Sequence, residues 1–207
     1  MYNIIQIDRK LEDISPKMGG VFDRADLMVC LDIPRDEPEK FMRLVSKLVE
    51  MKVIYRFCRG IYVRKECSLE ILSRKIDPDS YISLFTVLAR TCIIAQVPDR
   101  YLVAVSPKPR PRIFSGNFGT VRFVTMDSNM FGFGIKTDGG VRIADNERAF
   151  IDTLYYYKKG MKLNFNPYCD MNVDLLDLEK LMEYLENYKN LNFTGFVRSV
   201  INENRKV

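Results

Sequence analysis

The sequence predicts an α+β protein in two parts, a helical part ending in a hairpin over residues 1–66 and a mixed α+β part over residues 77–207. Three observations lead there. Glu37 to Met51 carries apolar residues at helical spacing, and two short runs of β-formers meet at a glycine directly after it. Beyond Pro98, runs such as "YLVAVS" and "TVRFVTM" are separated by proline- and glycine-rich turns.

Met1 to about Ile14 mixes apolar and charged residues as a first helix does, and Pro16 with Gly19-Gly20 is expected to close it. Asp23 is placed to cap a short helix from Arg24 to about Leu31, because its carboxylate can accept an orphan backbone N–H. Pro34 stops that helix. Asp36 is then expected to cap the next, with Glu37 and Pro38 in its first turn, where negative charge suits the helix dipole and a missing N–H costs nothing. Along this third helix Phe41, Leu44, Val45, Leu48 and Val49 form one stripe, and at roughly 100° per residue Lys40, Arg43 and Lys47 fall on the opposite side. "VIYRF" and "GIYVR" follow as two strands around Cys58-Arg59-Gly60, the glycine supplying the positive φ of a tight turn. Three helices and a two-stranded hairpin within about 65 residues is the order of a winged helix-turn-helix domain.

The second part begins after a polar stretch, Glu66 to Ser80, expected to be a connection. Ser80 or Asp79 would cap a helix through "YISLFTVLARTCII". Strands are expected at "YLVAVS", "TVRFVTM" and "MFGFGIKT". Asp145 caps a helix through "NERAFIDTLYYYKKG", ended by Gly160, and amphipathic stretches from about Val173 to Tyr188 and Asn192 to Asn204 complete the chain.

Composition narrows the chemistry. With no histidine in 207 residues, Ser-His-Asp and Cys-His catalysis and any histidine metal site are excluded. The five cysteines are odd in number and show no C-x-x-C spacing, which favours reduced thiols over a disulfide or zinc framework. Charges recur every few residues from the start, and no apolar run approaches a bilayer's thickness, so a cytoplasmic protein without a membrane partner is expected. No glycine pattern matches a P-loop or a dinucleotide fingerprint, and no cofactor or metal is indicated.

Charge position says more than net charge. Between Arg35 and Lys65 nine basic residues stand against four acidic ones, an excess equal to the +5 of the whole chain. The expected DNA contacts are therefore Arg35, Lys40, Arg43 and Lys47 from the third helix and its approach, with Arg56, Arg59 and Gly60 from the hairpin. Lys40, Arg43 and Lys47 read as lacking acidic partners on their side of the helix. "PKPRPR", Pro107 to Arg112, reads as an exposed loop, and Tyr155-Tyr156-Tyr157 as packing. "DLEK", Asp177 to Lys180, spells part of a magnesium-nuclease signature, in which two carboxylates hold the metal and a lysine assists water. Inside an amphipathic helix that spelling reads as chance. Arg148 and Asp152, one helical turn apart, read as a structural ion pair.

Three stretches, "FMRLVSKLVEMKVIYRFCRGIYVR", "YISLFTVLARTCIIAQVPDRYLVAV" and "VRIADNERAFIDTLYY", make the chain resemble the AbiEi-type antitoxins, transcriptional regulators of type IV toxin–antitoxin pairs. Arg59, Gly60 and Tyr62 match that family's wing, and Glu147, Arg148, Ala149 and Asp152 its Ala-x-x-Glu-Arg-Ala-x-x-Asp helix. Met51-Lys52 departs from the Lys-Gly of many relatives, and "RDEPE" is a long acidic entry to the recognition helix. The resemblance implies a winged domain binding inverted repeats in its own promoter. It also implies a C-terminal domain that neutralises a nucleotidyltransferase-like toxin without a stable complex. On that expectation the protein is no enzyme; a metal-dependent nuclease using Asp177, Glu179 and Lys180, and an adaptor without DNA binding, are the alternatives.

Overall fold

A computed structural model describes residues 3–95 and 98–206. The chain divides into two compact units, one of Met1–Pro78 with Phe114–Thr120, the other of Asp79–Ile113 with Val121–Val207.

In the first unit, α1 (Ile4–Met18) is capped by Asn3, whose side chain accepts from the Gln6 N–H. It runs through Pro16 instead of stopping near Ile14. Pro16 sits in the last turn, where little helix remains to be disrupted, and the N–H groups of Gly19 and Gly20 return to the Pro16 and Ser15 carbonyls. β1 (Val21–Asp23) follows, a strand too short to show periodicity in sequence. Asp23 then caps α2 (Arg24–Cys30) as expected, in a reciprocal capping box with Asp26.

α3 (Pro38–Glu50) is N-capped by Glu37 without a side-chain hydrogen bond, so Asp36 does not fill the capping role expected of it. Its Phe41, Leu44, Val45 and Leu48 are buried with Leu11, Phe22, Leu27, Ile54 and Tyr62 in one core. β2 (Tyr55–Cys58) and β3 (Ile61–Val63) form the expected hairpin, and β1 joins it to give an antiparallel sheet of order β1-β3-β2. Gly60 turns it at φ 78°, a left-handed conformation that a side chain would strain. The stretch expected as a connection instead contains α4 (Leu69–Ile76), capped by Ser68 and packed on β1, with Leu72 fully buried. Its Lys75 reaches the carboxylates of Asp23 (2.8 Å) and Asp26.

The second unit carries most of a six-stranded sheet of order β6-β7-β5-β4-β9-β8, built from β4 (Tyr81–Ile82), β5 (Tyr101–Ser106), β6 (Arg112–Gly116), β7 (Gly119–Thr125), β8 (Ile135–Asp138) and β9 (Val141–Ala144). β4 pairs antiparallel with β5 and parallel with β9. The helix expected over residues 81–94 therefore begins as a buried central strand and leaves only α5 (Phe85–Arg90) helical. A short, fully apolar run fits either element, and burial between two strands decides it. "MFGFGIKT" is likewise split, its first residues closing a 3₁₀ turn, Ser128–Phe131, and its last forming β8. α6 (Asn146–Lys158), capped by Asp145, is the buried helix of the unit. A 3₁₀ turn (Val173–Leu175), α7 (Leu178–Leu185) and α8 (Leu191–Asn204) complete it, α7 and α8 both packing on α6. All five cysteines are free, and among the described residues no helix is long and apolar enough to cross a membrane.

Candidate nucleic-acid interface

The third helix has the two faces its sequence promised, but its outer face is less basic than expected. Arg43 and Lys47 are exposed, and among the described residues neither is paired with a carboxylate. Lys40 differs. Its ammonium sits 2.7 Å from Glu37, an i, i−3 pair, so the reading that it lacks an acidic partner is wrong. Glu39 and Glu50 are also exposed, and at about 100° per residue they fall on the same arc as Arg43. The outer face is mixed in sign.

On the hairpin, Arg56 and Arg59 are exposed and Gly60 forms the turn beside them. Arg35 is exposed in the loop before α3. Arg64 is committed elsewhere: its guanidinium donates to Asp8 (2.5 Å) and to the Val53 carbonyl (2.9 Å), and reaches Glu12 at 3.4 Å. It fastens the end of β3 to α1. Arg24 stacks over the Phe41 ring at 5.4 Å, so it too serves packing. Within the basic stretch, the cations that face outward without a carboxylate partner among the described residues are Arg35, Arg43, Lys47, Lys52, Arg56, Arg59 and Lys65.

The C-terminal motif is an interior network. Asp152, fully buried, accepts hydrogen bonds from the Tyr81 hydroxyl (2.9 Å) and the Ser83 hydroxyl (2.7 Å), and its Oδ1 lies 3.0 Å from Arg148 Nε. Arg148 Nη2 donates to the Tyr81 oxygen at 2.7 Å, and the guanidinium lies 4.2 Å from the centre of the Phe133 ring. Burial pushes the Asp152 carboxyl up, against the Arg148 charge and the two hydroxyls that favour its ionised form. The expected Arg148–Asp152 ion pair is thus present and completely desolvated.

Glu147 faces the other way along the same helix. Its carboxylate accepts from the Asp177 N–H (3.0 Å) and Lys180 Nζ (2.8 Å). Lys180 also meets Asp145 at 2.9 Å, and although burial works against its charge, the two carboxylates hold its pKa up. Asp145 accepts from Tyr184 as well, and burial followed by that carboxylate raises the phenol to about 12. Glu147, Arg148 and Asp152 therefore join α6 to β4 and α7, and present no charge to solvent.

The same contacts engage two residues of the nuclease alternative. Asp177 caps α7 by accepting from the Lys180 N–H, Lys180 is spent on Asp145 and Glu147, and Glu179 is exposed alone. Among the described residues no group of three metal-binding side chains forms. Arg112, in the basic proline-spaced stretch, lies over Phe123 at 4.7 Å and donates to Ser106. The partners Tyr81, Ser83, Tyr184 and Lys75 went unnoticed in sequence, since contacts at such separations leave no local pattern; the Lys40–Glu37 pair was readable from its spacing.

No protein-family model matches the chain, and neither does any curated protein. Among solved structures it is similar to the crystal structure of the RV2827C protein from Mycobacterium tuberculosis, with 13% identity and a TM-score of 0.63. The similarity covers 96% of this chain and 77% of that one. At this identity it is a similarity of fold.

Proposed function

We propose that this chain is a cytoplasmic double-stranded DNA-binding regulator of the AbiEi antitoxin type, acting by binding and not by catalysis. In this reading the first unit is a winged helix-turn-helix, α3 enters the major groove and the β2–β3 hairpin is the wing. The observation that carries it is the outward, unpaired set of Arg43 and Lys47 on α3 with Arg56 and Arg59 on the hairpin that directly follows it. Guanidinium groups in such positions bond guanine edges or phosphates. Repression of its own operon through an inverted-repeat operator, and neutralisation of a nucleotidyltransferase-like toxin without a stable complex, extend the reading from the resemblance in sequence.

The test is a mobility-shift titration with the DNA upstream of the gene. Arg43→Ala and Arg59→Ala each weaken binding by about 1–3 kcal/mol. No shift by the wild-type protein, or equal affinity in both variants, overturns the reading. The mixed sign of the outer face, with Glu39 and Glu50 on it and Lys40 paired, favours the second reading, an adaptor for another protein. A stable protein complex without DNA affinity would establish that alternative.

A further inference from the structure

We propose that the outer edge of β8 is a dimer interface, to which β8 of a second copy of this chain adds antiparallel about a two-fold axis at Thr137. β8 ends the six-stranded sheet, and among the described residues it pairs with β9 alone. Every residue from Lys136 to Gly140 is exposed, so this edge is open to an incoming strand.

The register of the β8–β9 hairpin fixes which backbone groups that edge offers. Gly139 and Gly140, at φ 53° and 77°, form a two-residue turn, and Asp138 faces Val141 across it. Positive φ at both positions is the type I′ turn, whose flanking residues exchange both backbone hydrogen bonds. Bonded pairs then alternate along the ladder. Asp138 and Lys136 bond to β9, while Thr137 and Ile135 turn their N–H and C=O away from it. An added antiparallel strand must therefore meet these outward groups with outward groups of its own.

Charge selects one register and names the partner. With the axis at Thr137, the two copies of Thr137 exchange two backbone hydrogen bonds. Lys136 of each copy then stands opposite Asp138 of the other, in the non-bonded type of pair that brings facing Cα atoms to roughly 4.5 Å. Two residues apart, both side chains lie on one face of the sheet, and among the described residues neither has an ion-pair partner in its own chain. Moving the axis by one residue sets Lys136 against Lys136 or Asp138 against Asp138, and like charges directly opposite are destabilising. A lysine on an edge strand ordinarily discourages strand addition; the Lys-Thr-Asp order of β8 supplies its own complement. β6, at the opposite edge of the sheet, carries Arg112 and no acidic residue, so it has no equivalent self-pairing. Three facing residues a side are few beside the roughly 20–30 of a standard interface, which makes the dimer weak and reversible. The pairing needs no nucleic acid.

Sedimentation equilibrium of the full chain, from about 1 to about 500 µM, tests the interface. A monomer–dimer equilibrium that weakens with added salt is expected. Lys136→Glu and Asp138→Lys each bring like charges face to face and should weaken the dimer about fivefold or more. The double charge swap, Lys136→Glu with Asp138→Lys, restores opposite signs across the axis and should recover wild-type association. An equimolar mixture of the two single variants should form mixed dimers, because each edge complements the other and repels itself. Thr137→Pro removes an outward N–H and none of the bonds to β9, and should abolish association. A chain that stays monomeric at about 500 µM overturns the proposal. So does a dimer that both single variants leave unchanged, or one that the double swap fails to recover.

Discussion

Arg64 and Asp8 lie 2.5 Å apart, joining the last residue of the hairpin to the first helix. The same guanidinium nitrogen donates to the Val53 carbonyl at the start of the hairpin, so one side chain holds both ends of the two-stranded unit against α1. A basic residue at the end of the most basic stretch of sequence thus belongs to the fold. Arg64→Gln is expected to cost about 1–2 kcal/mol in urea denaturation, the range for charge-assisted hydrogen bonds discounted for a partly exposed carboxylate. Arg59→Ala, at an exposed turn, should leave the same transition within about 0.5 kcal/mol of wild type. Equal losses in the two variants would contradict this division of labour.

In the proposed DNA-binding reading, Glu39 on the outer arc of α3 opposes Arg43. If that face meets phosphates, Glu39→Gln removes a repulsive charge and should raise operator affinity several-fold, by about 0.5–1 kcal/mol. Lys40→Ala should change affinity less than Arg43→Ala, because Lys40 is already shared with Glu37. Both effects should shrink with added salt, and the slope of log affinity against log salt reports how many phosphates are contacted. Unchanged affinity in Glu39→Gln places that face away from the nucleic acid.

Arg148 and Asp152 were legible as neighbours one helical turn apart, yet their depth was not. Their burial is set by Tyr81, Ser83 and Phe133, which lie as far as 71 residues away in sequence. The same contrast runs through the fold. α3, β5 and α6 announce themselves by period and caps, since those signals lie within one element. β1 and β4 are three and two residues long and exist because a neighbouring strand pairs with them, and α4 hides in a polar stretch because only its inner face is apolar. Long-range pairing also decides the charges: Asp8 engages Arg64, and Asp145 and Glu147 engage Lys180, contacts that no local pattern announces.

Removing Asp152 should be far more damaging than removing any surface carboxylate. Asp152→Ala leaves Arg148 charged, buried and deprived of its counter-ion, a change that typically costs about 3–5 kcal/mol. Replacing both, Arg148→Met with Asp152→Leu, should cost clearly less than the sum of the single losses, which a double-mutant cycle in denaturant measures. Gly134→Ala probes the same network from outside: φ is +66°, and a Cβ there would lie 2.6 Å from Arg148 Cβ and 2.8 Å from the Tyr184 ring. It should destabilise the second unit even though no hydrogen-bonding group is lost.

The clasp of Lys75 on Asp23 and Asp26 gives the first unit a defined acid response. Burial alone would raise the Asp23 carboxyl, but the Lys75 ammonium and the N–H of Asp26 outweigh it and hold its pKa below the ordinary value of 3.8. A carboxyl depressed in the folded state favours folding at pH above its unfolded value. That contribution disappears as pH falls through the lower, folded value. Lys75→Met removes the cause of the depression. Wild type should therefore melt above the variant from pH 5 to 7, with the gap closing as pH drops below about 3.8. Thermal unfolding followed by circular dichroism across pH 2–7 checks this, and a gap that stays constant down to pH 2 would show that Lys75 stabilises α4 by packing alone.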